Sequence, residues 1–441
     1  MHEENFSFQN IHAQLESTET KDLFAKLYGG KEQTVRTQIT RYQKLIETYQ
    51  EQFPDASAPI HLFSTPGRTE VGGNHTDHNA GHVLAAAVHF DTIAAAEKTR
   101  DNKITICSEG YPEVFQADLS TLEPIPEEKE TTTALIRGIA ARFRQLGFSI
   151  GGFRAYVASS VARGSGLSSS ASIEVLLGTI LNALYNDDRL APALLAVVGQ
   201  YAENIFFGKP CGLMDQMACA VGGFITIDFK DNERPAIRKI NFDPAAHGYH
   251  MLVVDTGGNH ADLTQDYADV PREMKQVAEA LGKKVLRELT MEELIENIPT
   301  LRKKVGDRAI LRAMHFFGDD QRVVRQARAL EEDRFRDFLD MVNESGSSSW
   351  RFLQNCYSNQ NPQEQGVPLA LAVTENFIRQ KGEGACRVHG GGFAGTIQVY
   401  LPDSCLAEYV EQMEKIFGDK AVTILNVRPF GTLHLNPYWN E

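Results

Sequence analysis

The sequence has no long apolar run, no surplus of positive charge and no closely paired cysteines, and each absence closes off a class of protein. Its longest apolar stretches are short, as from Val83 to Val88, far below the roughly 20 residues a helix needs to span a bilayer. The 44 basic side chains are outnumbered by 58 acidic ones, a formal net charge of −14, so no basic face is expected to meet nucleic acid or anionic lipid. Six cysteines, at 107, 211, 219, 356, 386 and 405, show no C-x-x-C spacing and read as reduced, mostly structural thiols. The opening Met-His-Glu-Glu-Asn lacks the basic and apolar stretches of a signal peptide. No internal repeat or low-complexity tract stands out. The expectation is a cytoplasmic chain with no membrane or nucleic-acid partner, monomeric or weakly homo-oligomeric.

What is present is globular: 441 residues, 42% hydrophobic and 23% charged, enough for two or three domains. Residues 12 to 52 are helix-prone, with apolar residues at helical spacing around Leu23, Phe24 and Leu27. Short strands are expected at 61–65, 92–96 and 103–107, a helix over 133–146, and a strand at 153–157. A clear amphipathic helix carries Ile173, Leu176, Leu177, Ile180, Leu181 and Leu184 on one face. A helix over 190–207 and a strand at 224–229 follow. The charged stretch from Asp231 to Pro235 predicts a boundary, dividing the chain into a helical extension (1–50), an N-terminal domain (51–235) and a C-terminal domain (236–441). Beyond it the pattern predicts a strand at 251–255 and near-continuous helix over 271–345, broken near Pro299 and Gly318. A helix at 367–381 and strands at 386–389 and 396–401 complete the α/β reading.

Four segments carry chemistry. In Arg163-Gly-Ser-Gly-Leu-Ser-Ser-Ser-Ala171 a glycine loop opens onto the amphipathic helix, where free amides and the dipole favour an anion. The competing reading is that its serines only cap the helix. Lacking a following Lys-Ser or Lys-Thr and a third glycine, it is neither a Walker loop nor a dinucleotide fingerprint. Pro66 to Gly81 packs an arginine, a glutamate, an aspartate and two histidines into a loop that cannot bury a core, so its polar groups point to a ligand. His75, Asp77, His78 and His82 also permit a metal-hydrolase reading. Asp215, after Cys211-Gly212, falls in the first turn of a short helix, where a carboxylate can also serve merely to stabilise the terminus. Arg387-Val-His-Gly-Gly-Gly-Phe-Ala-Gly395 links two strands and could be only a tight hairpin.

In order and separation these segments resemble the GHMP small-molecule kinases, and within them the galactokinases. The galactokinase pattern G-R-V-N-L-I-G-E-H-T-D-Y-N-G-G stands here as G-R-T-E-V-G-G-N-H-T-D-H-N-A-G from Gly67 to Gly81. The phosphate loop P-x-G-x-G-L-S-S-S-A stands as A-R-G-S-G-L-S-S-S-A from Ala162, and C-G-I-M-D-Q-F is similar to Cys211–Met217. The resemblance implies an N-terminal α/β domain, a ferredoxin-like C-terminal domain, and transfer of the ATP γ-phosphoryl group to the anomeric hydroxyl of galactose or a related sugar. It implies Asp215 beside the accepting hydroxyl with Arg68 next to it, and sugar contacts from His75, Asp77, Gly212 and Tyr267, with Asn74 at a sugar-facing position. Gly164, Ser165, Gly166, Leu167, Ser168, Ser169, Ser170, Gly391 and Gly392 would frame the ATP phosphates, and Ser170 and Glu203 would ligate Mg2+. Asn74 replaces a family glutamate, His78 a tyrosine, Ala162 the loop's proline, and Thr132 a tryptophan near the adenine. Those changes leave two alternatives: a kinase for another sugar (N-acetylgalactosamine, arabinose or a uronic acid), or a non-catalytic regulator of galactokinase ancestry that binds sugar and ATP.

Overall fold

The computed structural model describes residues 8–162, 164–209, 211–231, 234–258, 263–360 and 362–439. Arg163 at the head of the glycine–serine segment, Pro210, and residues 232–233 of the expected boundary lie outside the described residues. Three helices come first: α1 (Phe8–Leu15), α2 (Thr18–Tyr28) and α3 (Glu32–Gln52). α3 buries Val35, Ile39, Tyr42, Ile46 and Tyr49, a stripe at helical spacing. These helices do not stand apart as an extension, because their core includes Ile60, Leu62, Ile93 and Leu435 from the rest of the chain. The fully buried Asp91 pins them: it accepts from Tyr28 Oη at 2.6 Å and Arg41 Nη1 at 2.5 Å, and from Arg428 Nη1 at 3.1 Å.

The larger sheet is built on β1 (His61–Gly72), β2 (His82–Lys98), β3 (Lys103–Ser108) and β4 (Phe115–Asp118), followed by α4 (Thr132–Gln145) and β5 (Phe153–Ser159). Then come α5 (Ser169–Asn186), α6 (Pro192–Tyr201), a π-helical turn at Ala202–Phe207, α7 (Met214–Val221), β6 (Phe224–Asp228) and β7 (Ala236–Ile240). Along β2, Ala94 and Ala96 join the core that holds α4 to α6, while Ile93 and Ala95 join that of α1 to α3. This is the period-two alternation of a strand covered on both faces. The expected helix over 190–207 ends as α6 at Tyr201 because the chain widens into the π turn.

The second half contains β8 (Tyr249–Asp255), α8 (Thr264–Ala280), α9 (Met291–Lys304), α10 (Asp307–Glu331), α11 (Phe335–Ser348) and α12 (Gly366–Lys381). β9 (Ala385–Val388), β10 (Thr396–Pro402), α13 (Leu406–Phe417), β11 (Val422–Leu425) and β12 (Leu433–His434) complete it. A four-stranded antiparallel sheet runs β11-β8-β10-β9, and the eight-stranded sheet runs β12-β1-β2-β5-β3-β4 with β6 and β7 branching from β2. Two segments cross the expected boundary at 235/236: β7 pairs β6, and β12 returns to pair β1, both in the larger sheet. The helical breaks expected at Pro299 and Gly318 fall elsewhere. Pro299 lies inside α9, whose start is fixed by a Thr290–Glu293 capping box, and Gly318 lies inside α10. The breaks come where φ is positive, at Gly282, Gly306 and Asp333.

The two sheets meet at β1. Arg387 of β9 donates to Val71 O at 2.9 Å and to Glu70 at 2.5 Å, and Gln398 of β10 donates to Thr69 Oγ1 at 2.7 Å and to Glu70 O at 2.9 Å. The glycine motif between β9 and β10 is thereby set opposite the phosphate loop.

Candidate active site

The β1 strand delivers Arg68 by a bulge: its register against β2 shifts between Pro66 and Arg68. At Gly67 a Cβ atom would stand 2.7 Å from Leu167 O, and Arg68 N donates to that same carbonyl at 3.0 Å. Glycine is thus required for β1 to touch the phosphate loop. The loop coils with positive φ at Gly164, Gly166 and Ser168 before α5 begins at Ser169. The left-handed backbone costs a non-glycine residue about 1–2 kcal/mol, and Ser168 makes no capping bond in return. Its hydroxyl donates to Asp215 instead, so the capping reading fails for this serine.

Asp215 and Arg68 form a two-point ion pair, Nε to Oδ1 at 2.7 Å and Nη2 to Oδ2 at 2.5 Å. Arg68 also donates to Gly166 O. Burial alone would raise Asp215, but the Arg68 guanidinium and the Ser168 hydroxyl hold it below the ordinary carboxylate value. Its side chain stays 31% exposed, available to a ligand.

A cleft of 610 Å³ opens here, with Gly164, Gly166, Ser169 and Ser170 on one wall and Gly390, Gly391 and Gly392 on the other. Thr132, Leu135 and Phe207 line it as well. Neither tryptophan reaches it: Trp350 packs against Tyr357, and Trp439 donates to Thr20 Oγ1 at 2.7 Å. Ser165 turns back on Ala162 O at 2.6 Å, and the Leu167 side chain is buried. Sequence reasoning missed His389 and Thr396, which line the cleft at hydrogen-bond distance from each other (2.9 Å) while His389 also meets Thr69 at 2.9 Å.

The sugar-side residues gather around the same glycines. His75 Nε2 donates to Gly391 O at 3.0 Å, and Tyr267 Oη donates to Gly392 O at 2.8 Å. A Cβ at Gly391 would meet the Tyr267 ring at 2.5 Å, and one at Gly212 would overlap the Asp77 carboxylate. Burial, then the neighbouring His78, push His75 down to about 4, so it is neutral at physiological pH. Asn74 is placed differently from the expectation. It is fully buried, its amide donates to Glu70 at 2.9 Å and Gly390 O at 2.7 Å, and its oxygen accepts from Asn355 at 2.7 Å. Its polar atoms are spent on the protein rather than turned toward a sugar.

The metal-hydrolase reading is overturned. Among the described residues no three His, Cys, Asp or Glu side chains converge as a metal site, and His82 turns to Asp320 at 3.0 Å and Asp228 at 3.2 Å. The magnesium pair fits a cation better. Glu203 is 3% exposed on the π turn, and among the described residues the only cation within ion-pair distance of it is the Lys209 ammonium at 3.5 Å. Beside it Glu174, one turn after Ser170 on α5, is 0% exposed, and burial and the Glu203 charge push its carboxyl well above the usual range. One oxygen each of Glu174 and Gln216 is buried with no hydrogen-bond partner. Such an oxygen-rich, charge-poor pocket suits a hard divalent cation.

Comparison with known proteins gives a consistent picture. Residues 134–223 match the family model of the GHMP kinases N terminal domain, and residues 47–98 match that of the galactokinase galactose-binding signature. The human galactokinase is 31% identical over 387 residues, covering 86% of this chain and 92% of its own. The Lacticaseibacillus casei galactokinase is 28% identical over 366 residues, covering 82% and 90%. Among solved structures, Lactococcus lactis galactokinase complexed with galactose superposes with a TM-score of 0.74 at 22% identity, covering 88% of this chain and 99% of that one. The Methanococcus jannaschii mevalonate kinase superposes at 0.59 with 14% identity, covering 83% and 98%.

Proposed function

The chain belongs to the galactokinase family, and on that premise we propose that it transfers the γ-phosphoryl group of ATP to the anomeric hydroxyl of a hexose, galactose being its preferred substrate. The observation that carries this reading is the two-point Arg68–Asp215 pair set against the phosphate loop, with Asp215 still partly exposed. Phosphoryl transfer asks mainly for positioning and charge neutralisation. The loop amides and the α5 terminus would cradle the phosphates, as would Gly391 and Gly392 across the cleft. Asp215 would face the sugar hydroxyl. Its lowered pKa keeps it ionised at neutral pH, so it is always available to accept a hydrogen bond, while its basicity is reduced. That balance favours orienting the hydroxyl early and taking its proton late, as charge develops. Ser170 and Glu203 would hold magnesium, whose charge would offset that of the phosphate oxygens.

His75, Asp77, Gly212 and Tyr267 would form the sugar pocket, Gly212 because only a glycine leaves room for the Asp77 carboxylate. No helix among the described residues is long and apolar enough to cross a membrane; we place the enzyme in the cytoplasm as a monomer or weak homo-oligomer. The test is coupled ADP release with galactose, N-acetylgalactosamine, glucose, arabinose and glucuronate. Multiple turnovers are expected, fastest with galactose. ATP binding without turnover on any sugar would refute the kinase reading in favour of a regulator.

A further inference from the structure

Gln216 follows Asp215 directly on the first turn of α7, yet its side chain points the other way. Its Nε2 donates to Glu174 Oε2 at 2.9 Å and to Glu203 Oε2 at 3.0 Å. A primary amide carries two N–H donors on one nitrogen, so one side chain bridges the Glu174 and Glu203 carboxyl groups in a buried space. The bridge is built into the fold. Gln216 is 1% exposed, and at Gly199 of α6 a Cβ would stand 3.2 Å from Glu174 Cβ and 3.4 Å from Gln216 Cγ. Glycine leaves room for the pair. Three elements are joined at this one nitrogen: α5, which carries Ser170 and Glu174; the π turn, which carries Glu203; and α7, which carries Asp215.

We propose that Gln216 is a positioning residue, anchored by Glu174, that fixes the Glu203 carboxylate relative to Asp215 and so couples the cation side of the cleft to the acceptor side. The inference rests on the sugar-kinase reading above. Neither Gln216 nor Glu174 touches the reacting atoms. Gln216 holds Glu203 from a backbone position adjacent to Asp215, so a shift of α7 moves both ends of the transfer together. Glu174 supplies the second acceptor that keeps the amide from rotating away.

The test titrates Mg2+ against binding of a fluorescent, non-hydrolysable ATP analogue to the full chain, alongside galactose affinity and melting temperature. Replacing a residue that orients a metal ligand typically weakens metal binding by roughly 10–100-fold. Gln216→Met, isosteric but without donors, should therefore raise the half-saturating Mg2+ concentration at least about tenfold while galactose affinity holds within about twofold. Glu174→Met should do the same, and Glu174→Gln, which keeps an acceptor oxygen at the same reach, should stay within about threefold of the parent. If Gln216→Met does not fold, the two Glu174 variants decide alone. An unmoved Mg2+ requirement with only a lowered melting temperature overturns the proposal, as does a Glu174→Gln variant as impaired as Glu174→Met. Failure of the kinase reading would look different: the parent chain would form no sugar-dependent ADP, whatever the Mg2+ titrations gave.

Discussion

The Asn74 amide donates to the Glu70 carboxylate at 2.9 Å, four residues back on β1, and Glu70 accepts in turn from Arg387 at 2.5 Å. In the galactokinase pattern the two positions hold the reverse pair, asparagine first and glutamate second. Here the negative charge sits on the side of the second sheet, stitching it to β1, and the amide fills the space beyond. The interchange predicts a coupled effect. Asn74→Glu alone sets two carboxylates within contact in a fully buried site and should destabilise by about 3 kcal/mol, the scale of an uncompensated buried charge. Glu70→Asn combined with Asn74→Glu should recover at least half of that loss. Urea denaturation of Asn74→Glu, Glu70→Asn and the double variant reads the coupling directly; strictly additive losses would refute the pairing.

The close approach of Gly212 to Asp77 gives a second expectation. A methyl group at Gly212 would overlap the Asp77 carboxylate, so Gly212→Ala must move Asp77 or the loop that carries it. Misplacing a substrate-contacting group by about 1 Å can cost roughly a hundredfold. The sugar KM should rise at least about tenfold by that reasoning, with the ATP KM unchanged. Steady-state kinetics with each substrate varied in turn checks this. A rise in the ATP KM alone would place Gly212 on the wrong side of the cleft.

Buried imidazoles set the acid limit of the fold. Burial, then the Arg68 and Arg387 charges, push His389 down to about 3. In the unfolded chain a histidine titrates near 6.5. Between these values the unfolded state binds a proton that the folded state refuses, so the stability His389 contributes is complete above about pH 6.5 and is lost as pH falls. The slope is about 1.4 kcal/mol per pH unit for one such group, and His75 adds to it in the same direction. The melting temperature should fall by several degrees from pH 7.5 to 5, and less steeply in His389→Gln. Equal slopes in the two proteins would contradict the assignment.

Much of the site could be read along the chain because its chemistry is local. Gly164 to Ala171 is a loop followed at once by an amphipathic helix, and Asp215 is bracketed by a glycine break and a helix start, so composition and spacing carry the signal. Gln216 and Glu174 could not be found that way. Their contact spans 42 residues, and that of Gln216 with Glu203 spans 13, and no local period marks a buried amide. Asn74 failed for a related reason: its place in the motif suggested a ligand, but its partners Gly390 and Asn355 come from the other half of the chain. In the fold, the breakers Pro299 and Gly318 misled because capping and packing outweigh single-residue propensity. β12, only two residues long, has no pattern to detect and is defined solely by its pairing with β1.

The central claim, that Asp215 serves phosphoryl transfer to an anomeric hydroxyl, is tested most directly by following ATP and galactose with 31P NMR, using the parent chain and Asp215→Asn. The account predicts that the parent accumulates a sugar phosphate coupled to the anomeric proton. It predicts that Asp215→Asn forms it at least about a hundredfold more slowly, the usual scale for losing a positioned acid–base group, while still binding galactose and ATP. Phosphate appearing at any other hydroxyl, or near-normal turnover in Asp215→Asn with only its stability lowered, would contradict it.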